Sequence, residues 1–149
     1  MLLKVKLIEK EGISPVSLPK KQTSSAAGFD LSASIKEPIT LSPGGLVTVP
    51  CGIALEIEEG YAALIFGRSG LGIKHGIHPS NAVGLIDSDY RGEICVGLCN
   101  VSDKDYVINP FDRIAQLVVI KTEEVIINQV ETLSETERGA GGFGSTGKN

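Results

Sequence analysis

Ile53, Leu55 and Ile57 alternate with Ala54, Glu56 and Glu58, and Ile94, Val96 and Leu98 alternate with Cys95, Gly97 and Cys99. A period of two sends alternate side chains to opposite faces of an extended chain, so both stretches predict half-buried strands. The runs Leu117–Ile120 and Val125–Ile127 are continuously apolar and read as fully buried strands. Turn signals recur between these segments: Ser14-Pro15, Glu37-Pro38, Ser42-Pro43-Gly44-Gly45, Glu59-Gly60 and Asn109-Pro110. Many short strands at such spacing predict an all-β sandwich, barrel or jelly roll. One short helix is expected, near Ser69 to His75. Residues 128–137, with Glu131, Glu135 and Glu137, read as a solvated hinge.

A chain of 149 residues suffices for one domain with its own core. Its net charge of −4 argues against a sequence-independent nucleic-acid binder, which needs a basic face. No apolar run reaches membrane-span length, so no membrane association is expected. The N-terminus lacks a signal-peptide layout. Cys51, Cys95 and Cys99 form neither an even framework nor a Cys-x-x-Cys pair. A reducing compartment is expected, cytoplasmic or, in a eukaryote, nuclear.

The last twelve residues change the picture most. Arg138-Gly-Ala-Gly-Gly-Phe143-Gly144-Ser145-Thr146-Gly-Lys-Asn149 has the composition of a frayed tail, yet carries an Arg, a Phe and two hydroxyls among its glycines. Glycine N–H groups and hydroxyls can ring phosphate oxygens, Arg can fork onto them, and Phe can cover a flat ring. Gly139-x-Gly141-x-x-Gly144 matches a dinucleotide fingerprint by letter only, because no strand–helix unit surrounds it. Gly142 to Lys148 nearly spells a P-loop, but Asn149 stands where Ser or Thr is required.

Four more segments put polar groups where a β-core would want apolar ones. They are Ala27-Gly-Phe-Asp30-Leu31, Gly67-Arg68-Ser69-Gly70-Leu71, Asn81 through Asp87 and Tyr90 to Gly92, and Arg113-Ile-Ala-Gln116-Leu117. Arg68, Ser69 and the helix start beside them form an anion site. Asp87-x-Asp89-x-x-Gly92 begins like a calcium loop, but Arg91 and Leu98 stand where that loop wants acceptors. His75 and His78 are read as local structural residues, and Cys95 and Cys99, on one strand face, as small packing residues.

Taken in this order, the five segments from Ala27 to Gly147 resemble the trimeric dUTPases. The resemblance implies a distorted β jelly roll over 1–137, a flexible lid arm over 138–149, and a homotrimer whose active sites are shared between chains. It implies hydrolysis of dUTP to dUMP and pyrophosphate, with Mg²⁺ as cofactor. It assigns Asp87 as the general base and Asp30 as the residue holding Mg²⁺ through water. Arg68, Ser69, Gly70 and Gln116 would bind the phosphate chain. Arg138, Gly144, Ser145 and Thr146 on the arm would hold its far end, and Phe143 would cover uracil. Asn81 with Gly84, Leu85 and Ile86 would read the uracil edge, and Tyr90 would lie beneath the deoxyribose. Arg113 is implied to be structural. The chain departs from the family pattern at Phe66-Gly67 and Pro79-Ser80, and neither change removes a functional group. The sister dCTP deaminases use a glutamate at the position of Gly97, which glycine cannot replace in acid–base work.

Overall fold

The computed structural model of the protein describes residues 1–142. In chain order its strands are β1 (Lys4–Leu7), β2 (Phe29–Ser32), β3 (Ile39–Leu41), β4 (Leu46–Glu56) and β5 (Tyr61–Gly67). The helix α1 (Ser69–His75) follows, and then β6 (Ile77–Pro79), β7 (Gly84–Ile86), β8 (Glu93–Asn100), β9 (Tyr106–Ile108) and β10 (Arg113–Lys121). Two four-stranded antiparallel sheets result, ordered β1-β4-β8-β6 and β2-β10-β5-β7, with β3 and β9 pairing separately. This is the all-β architecture with one short helix that the alternation predicts. No helix among the described residues is long and apolar enough to cross a membrane.

The inward halves of the alternating strands meet in one core. Ile53 and Leu55 of β4 and Ile94, Val96 and Leu98 of β8 pack with Leu31, Ile65, Ile114 and Leu117 of the other sheet. Glu93, Cys95, Gly97 and Cys99 take the outward half of β8. Cys99 does pack, its sulfur 3.4 Å from each ring nitrogen of His78, the residue opposite it on β6. Cys95 is exposed, against the expectation of a packing residue. His75 packs against Tyr106 with ring centroids 5.1 Å apart and planes tilted by 52°.

The apolar run Val125–Ile127 is not a buried strand. Its residues are 77%, 86% and 93% exposed and lie in no element. The reason is a missing partner: β10 pairs with β5 only as far as Lys121 opposite Tyr61, and Thr122 N–H then bonds the carbonyl of Gly60 at the turn. Past that point the chain has no backbone to pair with, and a strand cannot form without a ladder.

One buried polar side chain fastens the loops. Asn100 is fully buried and uses its whole amide. Its Nδ2 donates to the carbonyls of Leu41 at 2.8 Å and Lys104 at 2.7 Å. Its Oδ1 accepts from the Ser102 N–H at 2.9 Å and hydroxyl at 2.7 Å. Asn100→Ala leaves buried backbone groups without partners and is expected to cost roughly 2–4 kcal/mol. Urea unfolding at fixed protein concentration measures this, and a loss under about 1 kcal/mol would reject the network as a major tie.

Candidate active site

Sheet pairing places Gln116 of β10 between Asp30 of β2 and Phe66 of β5, and Arg68 follows the end of β5. Asp30, Gln116 and Arg68 converge with Arg113. Arg113 Nη1 donates to Asp30 Oδ2 at 3.0 Å, and Gln116 Nε2 donates to Asp30 Oδ1 at 3.2 Å. Arg68 Nε lies 3.4 Å from the same Oδ1, and its Nη1 donates to the Arg113 carbonyl at 3.0 Å. The Asp30 side chain is 5% exposed, against 26% for Arg68 and 45% for Arg113, so the cations form the outer rim of this cluster. Arg68 is also the N-cap residue of α1, and the Ser69 and Gly70 N–H groups at that helix start have no intrahelical acceptor.

The turn Asn109-Pro110-Phe111-Asp112 feeds Arg113 into β10. Pro110 fixes its own φ, and Phe111 follows at φ 67°, a conformation that favours glycine. Asp112 braces this turn by accepting from the Asn109 N–H at 2.8 Å.

A second group lies along β7 and the turn after it. Asn81 is exposed at the tip of the hairpin, where Ala82 sits at φ 61° and Val83 N–H bonds the Asn81 carbonyl at 2.7 Å. Gly84, Leu85 and Ile86 form β7, and Asp87 starts a turn closed by Tyr90 N–H on the Asp87 carbonyl at 3.2 Å. Arg91 Nη1 stiffens this turn by donating to the carbonyls of Ser88 at 2.6 Å and Tyr90 at 3.0 Å. Tyr90 OH donates to the Glu93 carbonyl at 3.0 Å, which lays the ring along the cleft floor. Leu85, Ile86, Asp87, Tyr90, Glu93, Ile94 and Cys95 enclose a cleft of about 310 Å³.

Glu93 and Cys95 are lining residues that motif reading passed over, although both fall on the outward half of the β8 alternation, just past Tyr90. Glu93 is already committed, accepting from Lys10 Nζ at 2.6 Å and from the Gly52 N–H at 2.8 Å. Partial burial, and then the Glu93 carboxylate, push the Cys95 thiol above its ordinary pKa. Cys95 therefore faces the cleft as a neutral thiol at neutral pH. Burial likewise pushes Cys51 up to about 12.

The two groups lie far apart within one chain. Ile86 pairs with Ala63 and Gly84 with Ile65, so Asp87 falls level with Ala62. Arg68 stands six residues further along β5, about 20 Å at strand rise. A hydrogen bond spans about 3 Å. The hairpin also runs the wrong way for a single-chain site, with Gly84 at the Arg68 end of β5 and Asp87 at the far end.

Among the predicted arm residues, Arg138 is described, and its Nε donates to the Gly141 carbonyl at 2.9 Å. Phe143, Gly144, Ser145 and Thr146 lie outside the described residues.

Comparison with known proteins adds to this geometry. The family model described as dUTPase matches residues 14–147. A deoxyuridine 5'-triphosphate nucleotidohydrolase of Burkholderia mallei (strain SAVP1) is 50% identical over 132 residues, covering 88% of this chain and 89% of that protein. Its counterpart in Burkholderia thailandensis is 50% identical over 133 residues, covering 89% and 90%. The dUTPase of Staphylococcus bacteriophage 80alpha with dUPNHPP superposes with a TM-score of 0.86 at 28% identity, covering 99% of each chain. A mutant dUTPase of phage phi11, described as showing the coordination of a structural Mg(II) ion, gives 0.76 at 25% identity, covering 89% of this chain and 98% of that one.

Proposed function

The chain belongs to the dUTPase family, and we propose that it cleaves dUTP through water activated by Asp87, at sites completed between copies of itself. That it is a dUTP nucleotidohydrolase follows from the family and from its close relatives. The observation that supports the mechanistic reading is the cleft that Asp87 and Tyr90 line together. In this reading Asp87 takes a proton from water as the water oxygen bonds the α-phosphorus. The bond from that phosphorus to the bridging oxygen breaks, and pyrophosphate leaves with the electron pair. dUMP remains, a product that would supply thymidylate synthesis while dUTP removal keeps uracil out of DNA.

Asn81 and the backbone of Gly84, Leu85 and Ile86 would read the uracil edge. Their fixed donors and acceptors would be left unpaired by cytosine. Tyr90 beneath the sugar would leave no room for a 2'-hydroxyl. The phosphate chain would meet Arg68, Ser69, Gly70 and Gln116 of another copy, because this chain's own Arg68 lies on the uracil side of the hairpin. The exposed apolar run Val125–Ile127 supports a homo-oligomer too, since it offers an unpaired stretch to a neighbour. The family's trimer satisfies both observations. Residues 138–149 would act as the lid, with Arg138, Ser145 and Thr146 on the γ-phosphate, Gly144 beside them and Phe143 over uracil.

The donor set at Asp30 fits Mg²⁺ held through water. An ionised carboxylate offers about four lone-pair positions; Arg113 and Gln116 donate to two of them and Arg68 stands 3.4 Å off as an ion pair, which leaves room for a metal-bound water. Direct coordination suits this crowded carboxylate poorly. When bound, the ion would offset charge gathering on the departing pyrophosphate.

A deaminase reading is disfavoured at Gly97, which offers no acid–base group and whose missing Cβ leaves the space that Ser80 Oγ takes, 2.7 Å from where that Cβ would stand. Incubation with Mg²⁺ and each of dUTP, dCTP, dTTP and UTP is expected to yield dUMP and pyrophosphate from dUTP alone. Deaminated product from dCTP, or no product from any of the four, would reject the assignment.

A further inference from the structure

Gly92 stands between the Tyr90–Arg91 corner and the start of β8, and its backbone does not require glycine. Its φ lies outside the positive range that glycine alone adopts freely. The other reason for a glycine is a close approach. A Cβ at this position would stand 2.4 Å from the Tyr90 hydroxyl oxygen, 2.6 Å from Cζ and 3.0 Å from Cε2. The three nearest atoms it would meet thus belong to one side chain. The Tyr90 ring folds back over the bare Cα of Gly92, and its hydroxyl thereby reaches the Glu93 carbonyl at 3.0 Å. Arg91 Nη1 holds the other end by donating to the Tyr90 carbonyl at 3.0 Å. Tyr90 is therefore tied at its main chain and at its ring tip, while it lines the cleft and stays 44% exposed.

We propose that Gly92 is a positioning residue for sugar discrimination: its missing side chain seats the Tyr90 hydroxyl on the Glu93 carbonyl, and that seating holds the ring in the space a 2'-hydroxyl would need. The inference rests on reading Tyr90 as the floor beneath the sugar. A floor rejects one extra oxygen only if it does not yield. An exposed aromatic ring without a tie changes rotamer freely. A methyl group on Gly92 forces the hydroxyl back by roughly an ångström before ordinary contact is restored. The exposed ring has room to retreat, so the fold survives and the tie to Glu93 is what breaks.

In the Gly92→Ala protein the ratio of kcat/KM for dUTP over UTP is expected to fall about tenfold, the low end of what a small gap in a fitted pocket is worth. Calorimetric titration with the non-hydrolysable α,β-imido analogues of dUTP and UTP is expected to show the same fall, because the discrimination lies in fit. A merely structural residue would weaken both nucleotides alike, and an unchanged ratio would overturn the inference alone. Equal use of dUTP and UTP by the wild type would overturn the reading of Tyr90 and the inference with it. Tyr90→Phe keeps the ring and the space over Gly92 and removes only the tie, so a smaller fall in the same direction is expected. This variant decides the outcome should Gly92→Ala be inactive, and an unchanged ratio in it rejects the tie. Thermal unfolding locates the cause. Adding Gly92→Ala to Tyr90→Ala is expected to leave the melting temperature of Tyr90→Ala unchanged, since the atoms nearest the new methyl are gone. A methyl that costs as much without the ring as with it would show that Gly92 serves something other than Tyr90, and would overturn the inference.

Discussion

Replacing Asp87 by asparagine is expected to leave dUTP bound and to lower kcat by roughly 10²–10⁴, the range of a positioned general base. Asparagine has nearly the volume of aspartate, so the cleft formed with Ile86, Tyr90 and Ile94 keeps its shape. The turn survives too, because it is closed by main-chain atoms of Asp87 and Tyr90 and stiffened by Arg91, none of which uses the carboxylate. What disappears is the ability to accept a proton from water. An interaction made only in the transition state is lost from kcat and from kcat/KM equally. Steady-state kinetics with dUTP, alongside calorimetry with the imido analogue, separates the two quantities. Turnover within about tenfold of the wild type would exclude Asp87 as the base, and a parallel collapse of analogue affinity would make it a binding group.

The strands of the core were legible in the sequence because period-two alternation is a direct record of which face is buried. β8 carries that record over six residues and β4 over its last four, Ile53–Glu56, and the inward set matches the core. α1 was legible to the residue, Ser69–His75, although its sequence holds two glycines. Its end is fixed by Gly76 at φ 68°, where a Cβ would press on Ser102 N at 2.9 Å. Val125–Ile127 was misread for a physical reason: composition reports that a segment prefers burial, not whether its own chain supplies the partner. Register hid the Arg113–Asp30 pair in the same way. The two residues are 83 positions apart and meet only because β2 and β10 are neighbours in one sheet. Asp30, Arg68 and Gln116 stand in three separate motif segments of the sequence, and only the sheet register brings them together. Motif reading could not reveal that Asp87 lies far from them, since motif order carries no distance.

That separation yields the second large effect. Neither Asp87→Asn nor Arg68→Gln protein is expected to turn over dUTP appreciably, yet a mixture of the two is expected to be active. If a site takes its base from one copy and its phosphate-binding Arg from another, a mixed oligomer contains sites that draw Asp87 from the Arg68→Gln chain and Arg68 from the Asp87→Asn chain. Random assembly of equal amounts makes about a quarter of all sites intact in this sense, and within a mixed closed trimer about one site in three. The variants are co-expressed with different tags, the doubly tagged species is isolated, and kcat per site is compared with wild-type protein. Recovery to roughly a third of the wild-type value, the share for any mixed closed trimer, would show that the two groups act across an interface. The alternative is equally sharp. If Asp87 and Arg68 of one chain served one site, every site in every mixture would carry a lesion, and no assembly could restore activity. The chain geometry decides the expectation in advance, because about 20 Å of β5 separates the level of Asp87 from Arg68. A side chain of either residue spans a fraction of that distance, and closing it within one chain would require breaking the β5–β7 ladder that holds the β7 hairpin in place.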